Sequence, residues 1–568
     1  MLYDDRFWKK SWDKGLKDID PKEWESLGSL SKAIQDSFEN FPDKIASYYM
    51  GTEITFKQLD EYSNQFAHAL LDNEMKKGDV VAIHLPNTMQ NLIAMVGTLK
   101  AGCIVSGVST LLSDMQIQYQ LSDIFEAGKK VALVTLDTYF VKRVRKIIST
   151  LPLLKLVIIS CNDVSLRKCK SQSEKNPRKK KTLIGKGFLH FQQDILNKFP
   201  KTPINIEIDV SDIAFIQYTG GTTGQPKGAM LSHSNILSNL VILNEWIGLK
   251  KGEDIACSGF PFYHIAGLSF CLNCLFNAQK QVIIPEPRDI NYICKVLKKH
   301  KPSIITNVPT LYQRLLYSKK FKKLDFSNLK FCFTSAAPFP TELKASLEDI
   351  IGKGKLLEIY GMTETSPVIT LNPAKGKKKT GSIGLPIMNT ELKIIDPLSK
   401  KEVPIGSPGE IIVRGPQVMK GYYNKPEETK NALDEEGFLH TGDIAVMDEE
   451  GYLKIVDRSK DMIIVSGYKV FSKKIEETIY RHPAVENLAI IGIPDPDRPG
   501  SEIVKAYIKI DDDFQMTKNQ QSLKDDIINF ARQRCSPYEV PKRIEFVKAL
   551  PLTAEGNIDK KSLRNKHE

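Results

Sequence analysis

Glycine, threonine and lysine are concentrated between residues 218 and 228, which read YTGGTTGQPKG. This stretch directly follows residues 213–217, an apolar run typical of a buried strand. Glycine lets backbone N–H groups approach an anion closely, threonine hydroxyls add donors, and Lys227 supplies a mobile positive charge. The stretch therefore predicts a phosphate-binding loop. It is not a Walker loop, because Pro226 precedes Lys227 and Gly228 follows it.

A second polar motif, YGMTETS, occupies residues 360–366 and follows residues 356–359, another apparent strand. A turn at the end of such a strand lies at the edge where open α/β sheets bind ligands. The ring of Tyr360 offers a face for a base, the Thr363 hydroxyl a donor for an anion, and the Glu364 carboxylate a ligand for a hard cation. Taken alone, the motif is equally compatible with a structural bend.

Together the two motifs resemble those of the adenylate-forming superfamily, which includes acyl-CoA synthetases, adenylation domains and luciferases. The resemblance spans about residues 30 to 564 and is closest to fatty-acyl-CoA synthetases. It implies a ligase that uses ATP, Mg²⁺ and coenzyme A. In the first step a carboxylate attacks the α-phosphate of ATP, giving acyl-adenylate and pyrophosphate. In the second step the CoA thiol displaces AMP.

The resemblance also implies residue roles: Tyr360 stacks on adenine, Thr363 contacts the α-phosphate, and Thr219 and Glu364 hold Mg²⁺. The catalytic set is Thr219, Lys227, His264, Glu364 and position 557, where the family has a lysine and this chain has Asn557. The set for nucleotide and CoA contact is Thr219, Gly220, Gly221, Thr222, Thr223, Gly224, Lys227, Ser335, Ala336, Ala337, Tyr360, Gly361, Met362, Thr363, Asp443, Arg458, Lys460, Gly467 and Lys469.

Several of these residues are informative only as an ordered set. Asp443 matches the aspartate that accepts hydrogen bonds from the ribose hydroxyls, and Arg458 would add a cation near ribose and phosphate. Considered separately, Asp443 reads as a turn residue and Arg458 as a surface charge. Residues 335–337 match the small-residue segment beside adenine, and a tight strand exit explains them equally well.

His264 lies in the sequence PFYHIAGL, residues 261–268. A lone histidine between apolar residues is usually structural, but the resemblance places this one beside the acyl carboxylate, where it lines the acyl tunnel. We do not expect it to act as a general base, because a carboxylate nucleophile is already ionised at neutral pH. The acid needs orientation and relief of phosphate charge, which Mg²⁺, Lys227 and the threonine donors supply.

Position 557 departs from the family pattern. The family lysine bridges the substrate carboxylate and the α-phosphate during adenylation, and Asn557 carries no charge. Loss of one donor that stabilises the transition state raises the activation free energy by about 2.7–4 kcal/mol. Slow adenylation is therefore expected, and thioesterification should suffer less. Lys560 and Lys561 follow three and four residues later and are candidate substitutes.

Apolar runs alternate with helical patterns through most of the chain, which predicts an α/β fold with parallel sheets. We expect a large N-terminal domain of stacked α/β layers, residues 1–457, with a β-rich subdomain at about 393–457. A hinge at 458–460, with Lys460 as the hinge residue, would precede a small mobile α+β domain at 461–568. Gly467 and Lys469 belong to the loop that the resemblance assigns to the pantetheine tunnel.

The chain has 568 residues, 41% of them hydrophobic and 26% charged, which is ordinary for a water-soluble globular protein. It lacks an apolar run of about 18 residues and an apolar N-terminal signal core, so a cytoplasmic protein is expected. The net charge of +12 is concentrated in a basic segment at 167–186. That segment predicts either a solvated loop or peripheral binding to the inner face of a membrane. We expect no nucleic-acid partner, and a homodimer is a further hypothesis.

Three functions remain open at this point. The first is an acyl-CoA ligase for medium or long fatty acids. The second is a related adenylating enzyme that activates an aryl acid or delivers the adenylate to a carrier protein. The third is an adenylate-binding protein whose activity is reduced because of Asn557.

Overall fold

The computed structural model describes residues 2–125, 129–151, 154–160, 187–219, 225–337, 339–466, 468–498, 501–511, 514, 519–552 and 558–566. The described chain forms layered sheets and helices, so the predicted α/β class is confirmed. Within these residues the α-helices of eight residues or more are Leu30–Asn40, Phe56–Asp72, Met89–Lys100, Asp114–Phe125, His233–Ile247, Ile265–Phe276, Ile290–His300, Pro309–Leu316, Thr341–Ile351, Ser472–Ile479 and Gln520–Arg532.

The first large sheet ends in the hairpin that carries the glycine/threonine motif. Over the described ranges it has seven strands, in spatial order Gly187–His190, Leu154–Ser160, Val131–Leu136, Val80–His84, Ile104–Gly107, Ile213–Tyr218 and Gly228–Ser232. Neighbouring strands are parallel except for the last two, which pair antiparallel. The motif therefore connects two strands at one edge of a largely buried parallel sheet.

The second large sheet carries the aromatic motif. In the described part of the chain it has nine strands, in the order Leu385–Pro386, Val368–Leu371, Leu356–Gly361, Phe331–Thr334, Ile304–Asn307, Ile255–Ser258, Lys280–Ile283, Ile45–Tyr49 and Thr52–Thr55. The six central strands are parallel, and antiparallel pairs close both edges. Residues that follow Thr334 and Ile359 consequently lie at the same edge of the sheet.

The largest hydrophobic core joins the two sheets through the helices between them. The helix Met89–Lys100 is buried along its whole length, as expected for a helix covered on every side. The helix Phe56–Asp72 begins with a capping box: the Thr55 side chain accepts a hydrogen bond from the Gln58 N–H, and the Gln58 side-chain oxygen accepts one from the Thr55 N–H. The two motifs are thus carried on a rigid support.

The N-terminal residues pack on this body through tryptophans. Trp8 and Trp24 are buried, and the Trp12 indole N–H donates to the Pro386 carbonyl over 3.0 Å. A Cβ atom on Gly451 would lie 2.1 Å from the Trp8 Cβ, so only glycine fits beneath that ring.

Smaller sheets follow. A four-stranded antiparallel sheet contains Glu391–Ile395, Gly409–Arg414, Leu439–Met447 and Leu453–Arg458. Beyond it, the described residues form a hairpin of Ile463–Val465 with Tyr468–Val470 and a sheet of Val485–Pro494, Glu502–Ile510 and Arg543–Phe546. The helices Ser472–Ile479, Gln520–Arg532 and Lys560–Arg564 accompany them, and this part has its own hydrophobic core. The predicted domain boundaries stay predictions. None of the helices among the described residues has the length and apolar character needed to cross a membrane.

Candidate active site

Thr219 and Lys227 stand at the two ends of the phosphate-loop motif, where the hairpin strands place them side by side. The Thr219 N–H donates to the Lys227 carbonyl over 2.9 Å, continuing the pairing of Tyr218 with Gly228. The Tyr218 hydroxyl donates to the Asp123 carboxylate over 2.7 Å and anchors the first strand to a neighbouring helix. The predicted residues Gly220, Gly221, Thr222, Thr223 and Gly224 lie outside the described residues.

Glu364 is buried in a short turn just after the strand Leu356–Gly361. A Cβ atom on Gly361 would lie 1.8 Å from the Pro367 carbonyl oxygen, so the tight crossing of the chain requires glycine at this place in the motif. The Met362 N–H donates to the same carbonyl over 3.0 Å. Burial raises the pKa of the Glu364 carboxyl, and the nearby Tyr422 hydroxyl opposes the shift.

Tyr422 joins the two motifs. Its hydroxyl donates to Glu364 Oε1 over 2.6 Å, and the Lys227 Nζ lies 4.4 Å from the centre of its ring. The Met419 N–H also donates to the Glu364 carbonyl over 2.8 Å. A cation and a carboxylate from distant parts of the sequence therefore face one region, which is the arrangement that a metal-bound phosphate chain requires.

A second polar group forms around Asp443. The Tyr360 hydroxyl donates to Asp443 Oδ2 over 2.8 Å, and Arg458 Nε lies 3.4 Å from Oδ1. Asp443 and Arg458 are directly opposite each other on neighbouring strands. Burial raises the pKa of Asp443, and the Arg458 guanidinium opposes that shift. The structure thus brings together the residues that the sequence assigns to adenine and ribose.

Residues 335–337 leave the strand Phe331–Thr334, which pairs in parallel with the strand of Tyr360. Ala336 and Ala337 are exposed, and Ala336 has a φ of 70°. A left-handed conformation is unusual for alanine and turns the chain sharply at the end of the strand. This small-residue segment and Tyr360 therefore share one sheet edge.

His264 caps the helix Ile265–Phe276 and is exposed. Its Nδ1 accepts a hydrogen bond from the Ala266 N–H over 3.2 Å, and its ring stacks on Phe260 with the ring centres 6.2 Å apart. The preceding residue, Tyr263, is tied to the phosphate-loop strand because Gln217 Nε2 donates to its carbonyl. His264 therefore lies on the segment next to the strand that leads into Thr219.

A small apolar cavity lies behind this segment. It is bordered by three strands of the first large sheet and by the helices Met89–Lys100 and Ile265–Phe276, with the apolar lining residues Ile83, Met95, Val105, Phe215, Phe262 and Leu268. Gly107 also lines it, and a Cβ atom there would lie 3.0 Å from the Tyr263 backbone. The lining of the cavity is therefore mainly apolar.

The C-terminal candidates are more dispersed. Burial, followed by the charge of Arg458, lowers the pKa of Lys460 to about 8. Lys469 forms an ion pair with Asp396, at the end of the four-stranded sheet. Gly467 and Asn557 lie outside the described residues. Lys560 Nζ contacts Glu476 Oε1 and Ser472 Oγ, both over 2.8 Å, so this candidate substitute cation already has partners.

Sequence reasoning did not identify Tyr422. Its neighbours Gly421 and Tyr423 form an unremarkable aromatic stretch, and its role depends on an isolated bridge between Tyr422 and Ala229, residues almost 200 positions apart. No periodicity or short motif signals such a contact. Only its place about 60 residues after the YGMTE motif, in a glycine-tyrosine turn, was available as a signal.

The donors at the site fit a magnesium ion that arrives with a nucleotide. Glu364 and Thr219 offer hard oxygen ligands, the type that Mg²⁺ prefers. The part of the chain that the structure describes contains no group of three or more His, Cys, Asp or Glu residues able to hold a metal alone. One carboxylate and phosphate oxygens are a usual set of Mg²⁺ ligands in nucleotide enzymes.

Two family models match the chain. The AMP-binding enzyme model matches residues 34–423, and the AMP-binding enzyme C-terminal domain model matches residues 474–557. The first covers well over half of the chain and contains both motifs as well as Tyr422.

Curated relatives match over nearly the full length. The chain is 37% identical over 544 residues to a long-chain-fatty-acid–CoA ligase of Bacillus subtilis, covering 94% of each protein. It is 35% identical over 559 residues to a ligase of the same name from Escherichia coli O6:H1, covering 96% of each. Among solved structures, ATP-bound MatB from Rhodopseudomonas palustris is 27% identical with a TM-score of 0.80, and 95% of this chain and 99% of that one are covered.

Proposed function

This chain belongs to the AMP-binding enzyme family, and from that premise we propose that it is an ATP-dependent ligase that converts a long-chain fatty acid to its CoA thioester. ATP and CoA are the co-substrates that such an AMP-forming ligase requires. The names of the two curated relatives described above support a long-chain fatty acid over an aryl acid. The apolar walls of the cavity behind His264 favour the same choice.

The observation that carries this proposal is the convergence of Lys227 and Glu364 on Tyr422. The proposed roles follow from it. Tyr360 would stack on adenine, Asp443 and Arg458 would hold the ribose, and Thr219 and Lys227 would contact phosphate oxygens. Glu364 and Thr219 would hold Mg²⁺, which when bound neutralises phosphate charge.

The chemistry asks little of the protein beyond orientation. In the first step a substrate carboxylate oxygen bonds to the α-phosphorus while the bond to pyrophosphate breaks. In the second step the CoA sulfur bonds to the acyl carbon, the thiol proton passes to solvent, and the bond between the acyl carbon and the phosphate oxygen breaks as AMP leaves. Lys227 and the threonine donors would stabilise charge that develops on the phosphate oxygens, and no base is needed for the acid.

The acyl chain is proposed to enter past His264 and to lie against the apolar cavity residues. Because the free cavity is small, a long chain needs the lining side chains to move aside. His264, which is already fixed as the cap of its helix, would stand beside the carboxylate rather than abstract a proton.

Asn557 favours a second candidate, an adenylate-binding protein with reduced adenylation. The asparagine stands where the family lysine is expected, and Lys560 is held by Glu476 and Ser472. In that arrangement Lys560 does not stand in for the lysine. Slow adenylation followed by normal thioester formation is therefore the kinetic pattern that we propose.

Pyrophosphate release from ATP tests these alternatives, measured with a long-chain fatty acid and with benzoate, each with and without CoA. CoA-dependent turnover of the fatty acid is the expected result. Turnover of benzoate but not of the fatty acid indicates an aryl-acid ligase. Adenylate that accumulates whether or not CoA is present indicates transfer to a carrier protein. ATP binding without pyrophosphate release leaves the adenylate-binding candidate.

The domain division at 458–460 is also proposed to serve this reaction. The C-terminal part would rotate about Lys460 between the two steps and bring Gly467 and Lys469 to the pantetheine arm. In the described structure Lys469 pairs instead with Asp396, so this rotation must break that ion pair. Lys469→Met should therefore change the thioester step while adenylation keeps its rate, measured by single-turnover kinetics.

Peripheral binding to an anionic membrane face is proposed as well. The basic segment 167–186 lies outside the described residues, which end at Ser160 before it and resume at Gly187 after it. A second basic area, here called the lysine surface, is formed by exposed residues on two adjacent segments: Lys295, Lys298, Lys299, Lys301, Lys319, Lys320, Lys322 and Lys323. Lys320 Nζ donates to Asn291 Oδ1 over 2.8 Å and joins the segments, and Tyr317 between them is 77% exposed.

Vesicle sedimentation tests the membrane proposal, with phosphatidylcholine alone compared with a mixture containing phosphatidylglycerol. Neutralising Lys319, Lys320, Lys322 and Lys323 to glutamine should weaken binding to the anionic vesicles by up to about 10³-fold, since each of the four lysines contributes about 1 kcal/mol near such a surface. Neutralising four dispersed exposed lysines, Lys22, Lys57, Lys76 and Lys454, is the matched control. Equal loss in both variants would remove the lysine surface from the proposal.

A homodimer is proposed separately, and sedimentation equilibrium tests it.

A further inference from the structure

Tyr422 is fixed from several directions before any ligand binds. Its backbone forms a bridge with Ala229 on the phosphate-loop hairpin, and its N–H donates to the Thr429 hydroxyl over 2.8 Å. The residue is only 7% exposed. Its ring and hydroxyl therefore hold a defined position between the hairpin and the turn that carries Glu364.

The hydroxyl is directed at a carboxylate that has few other partners. The Tyr422 hydroxyl donates to Glu364 Oε1 over 2.6 Å, and Glu364 is 5% exposed. Among the described residues no ion pair engages Glu364, although Lys227 is close enough to influence its charge. A short hydrogen bond from a fixed phenol restricts the orientation of the carboxylate.

The ring is directed at the lysine of the phosphate loop. Lys227 Nζ lies 4.4 Å from the ring centre, within the range of a cation–π contact. In the described ranges no carboxylate forms an ion pair with Lys227. A long lysine side chain loses conformational entropy when it is ordered. An aromatic ring that already orders the lysine reduces the entropy lost on binding, and it does not neutralise the charge.

We propose that Tyr422 is a positioning residue with two separable functions, in which its hydroxyl orients Glu364 for the metal and its ring holds Lys227 for the phosphates. The inference rests on the proposed function, because it assumes that Glu364 and Lys227 receive a metal-bound nucleotide. Tyr422 acts only through the two residues that it holds.

Two substitutions separate the functions. Tyr422→Phe keeps the ring and removes the hydroxyl, and Tyr422→Leu removes both. Two binding constants are measured. The first is that of Mn²⁺, a paramagnetic probe for Mg²⁺, in the presence of a non-hydrolysable ATP analogue. The second is that of the same analogue in EDTA, without metal. Neither measurement requires turnover.

Tyr422→Phe should weaken Mn²⁺ binding about tenfold, as expected for a lost hydrogen bond to a charged group, and change metal-free nucleotide binding less than twofold. Tyr422→Leu should weaken both, with a loss of about threefold to fivefold for the metal-free nucleotide because the cation–π contact is gone. A simple packing role predicts a different result, in which the leucine variant loses stability and the phenylalanine variant behaves as the wild type.

Tyr423 is the matched control. It is adjacent, also 7% exposed, and its hydroxyl makes only a long 3.5 Å hydrogen bond to the Ile124 carbonyl in a different core cluster. Tyr423→Phe should leave both constants unchanged, and thermal melting of all variants checks the fold. Unchanged Mn²⁺ binding in Tyr422→Phe, or equal losses in the Tyr422 and Tyr423 variants, would overturn the inference.

The outcome is distinguishable from failure of the proposed function. A wild-type protein that binds Mn²⁺ with the analogue but releases no pyrophosphate overturns the ligase proposal and leaves Tyr422 in its role. A wild-type protein that turns over, with a Tyr422→Phe variant that binds Mn²⁺ equally well, overturns the role of Tyr422 alone. A wild-type protein that binds no nucleotide overturns both.

Discussion

Charged side chains are used differently on the two sides of residue 458. On the nucleotide side, Lys227 and Glu364 have no ion-pair partner among the described residues and are held by an uncharged tyrosine. On the C-terminal side several cations are paired: Lys560 with Glu476 at 2.8 Å, Lys474 with Glu539 at 2.7 Å and Arg564 with Asp461 at 2.5 Å.

This difference separates charges that await a ligand from charges that support the structure. A cation that is already paired must lose its partner before it can bind a phosphate, and the carboxylate left behind is then uncompensated. A cation held by a ring keeps its charge available. We therefore expect substitution of an unpaired site cation such as Lys227 to change activity and leave stability nearly unchanged, and substitution of a paired cation such as Lys560 to do the reverse.

The largest expected effect is on Lys227. Lys227→Ala should reduce the rate of pyrophosphate release about 10²–10³-fold, because a donor aimed at developing phosphate charge is lost. The melting temperature should hardly change, since no ion pair is broken. Lys420→Ala, at an exposed lysine near the same hairpin, is the control and should keep its activity. A large fall in melting temperature for Lys227→Ala would contradict the distinction between the two sides.

Lys560 tests the other side. Lys560→Met leaves the Glu476 carboxylate, whose side chain is 19% exposed, with the Ile490 N–H as a remaining partner at 2.8 Å. The expected cost is about 2 kcal/mol of unfolding free energy, somewhat below the range for fully buried pairs because both groups reach some solvent. Denaturant unfolding measures it, with Lys548→Met at an exposed position as the control. An unchanged stability with a large loss of adenylation would instead make Lys560 a phosphate ligand.

Asn557→Lys sharpens the comparison, since it adds a cation on the C-terminal side. If a lysine there reaches the carboxylate and the α-phosphate, adenylation should rise about tenfold or more, and CoA transfer should be little affected. Single-turnover pyrophosphate release with a long-chain fatty acid measures the effect. No acceleration would mean that the site compensates for the asparagine in another way.

The sequence was sufficient for the parts of the site that depend on local order. The strand before the phosphate loop and the turn at the end of the strand that carries Tyr360 follow from short motifs in a fixed order. The role of Tyr422 and the pairing of Lys560 could not be predicted in the same way. Each depends on residues that are brought together from distant positions by sheet pairing and helix packing, which leave no short pattern in the sequence.

The smallest expected effect concerns Lys460, which lies at the border between the two sides. Burial, with the charge of Arg458, lowers its pKa to about 8, so about half of its side chains should be neutral at pH 8, whereas an ordinary lysine with a pKa of about 10.4 is almost fully protonated. Lys460 is exposed like Lys454, and it should therefore be acetylated faster than Lys454 at pH 8, as measured by mass spectrometry. Because the native pKa is depressed, the unfolded chain binds more protons between about pH 8 and 10.5, and the contribution of Lys460 to stability should rise with pH across that window. Equal acetylation of the two lysines would show that Lys460 is solvated like an ordinary surface cation and would contradict the lowered pKa.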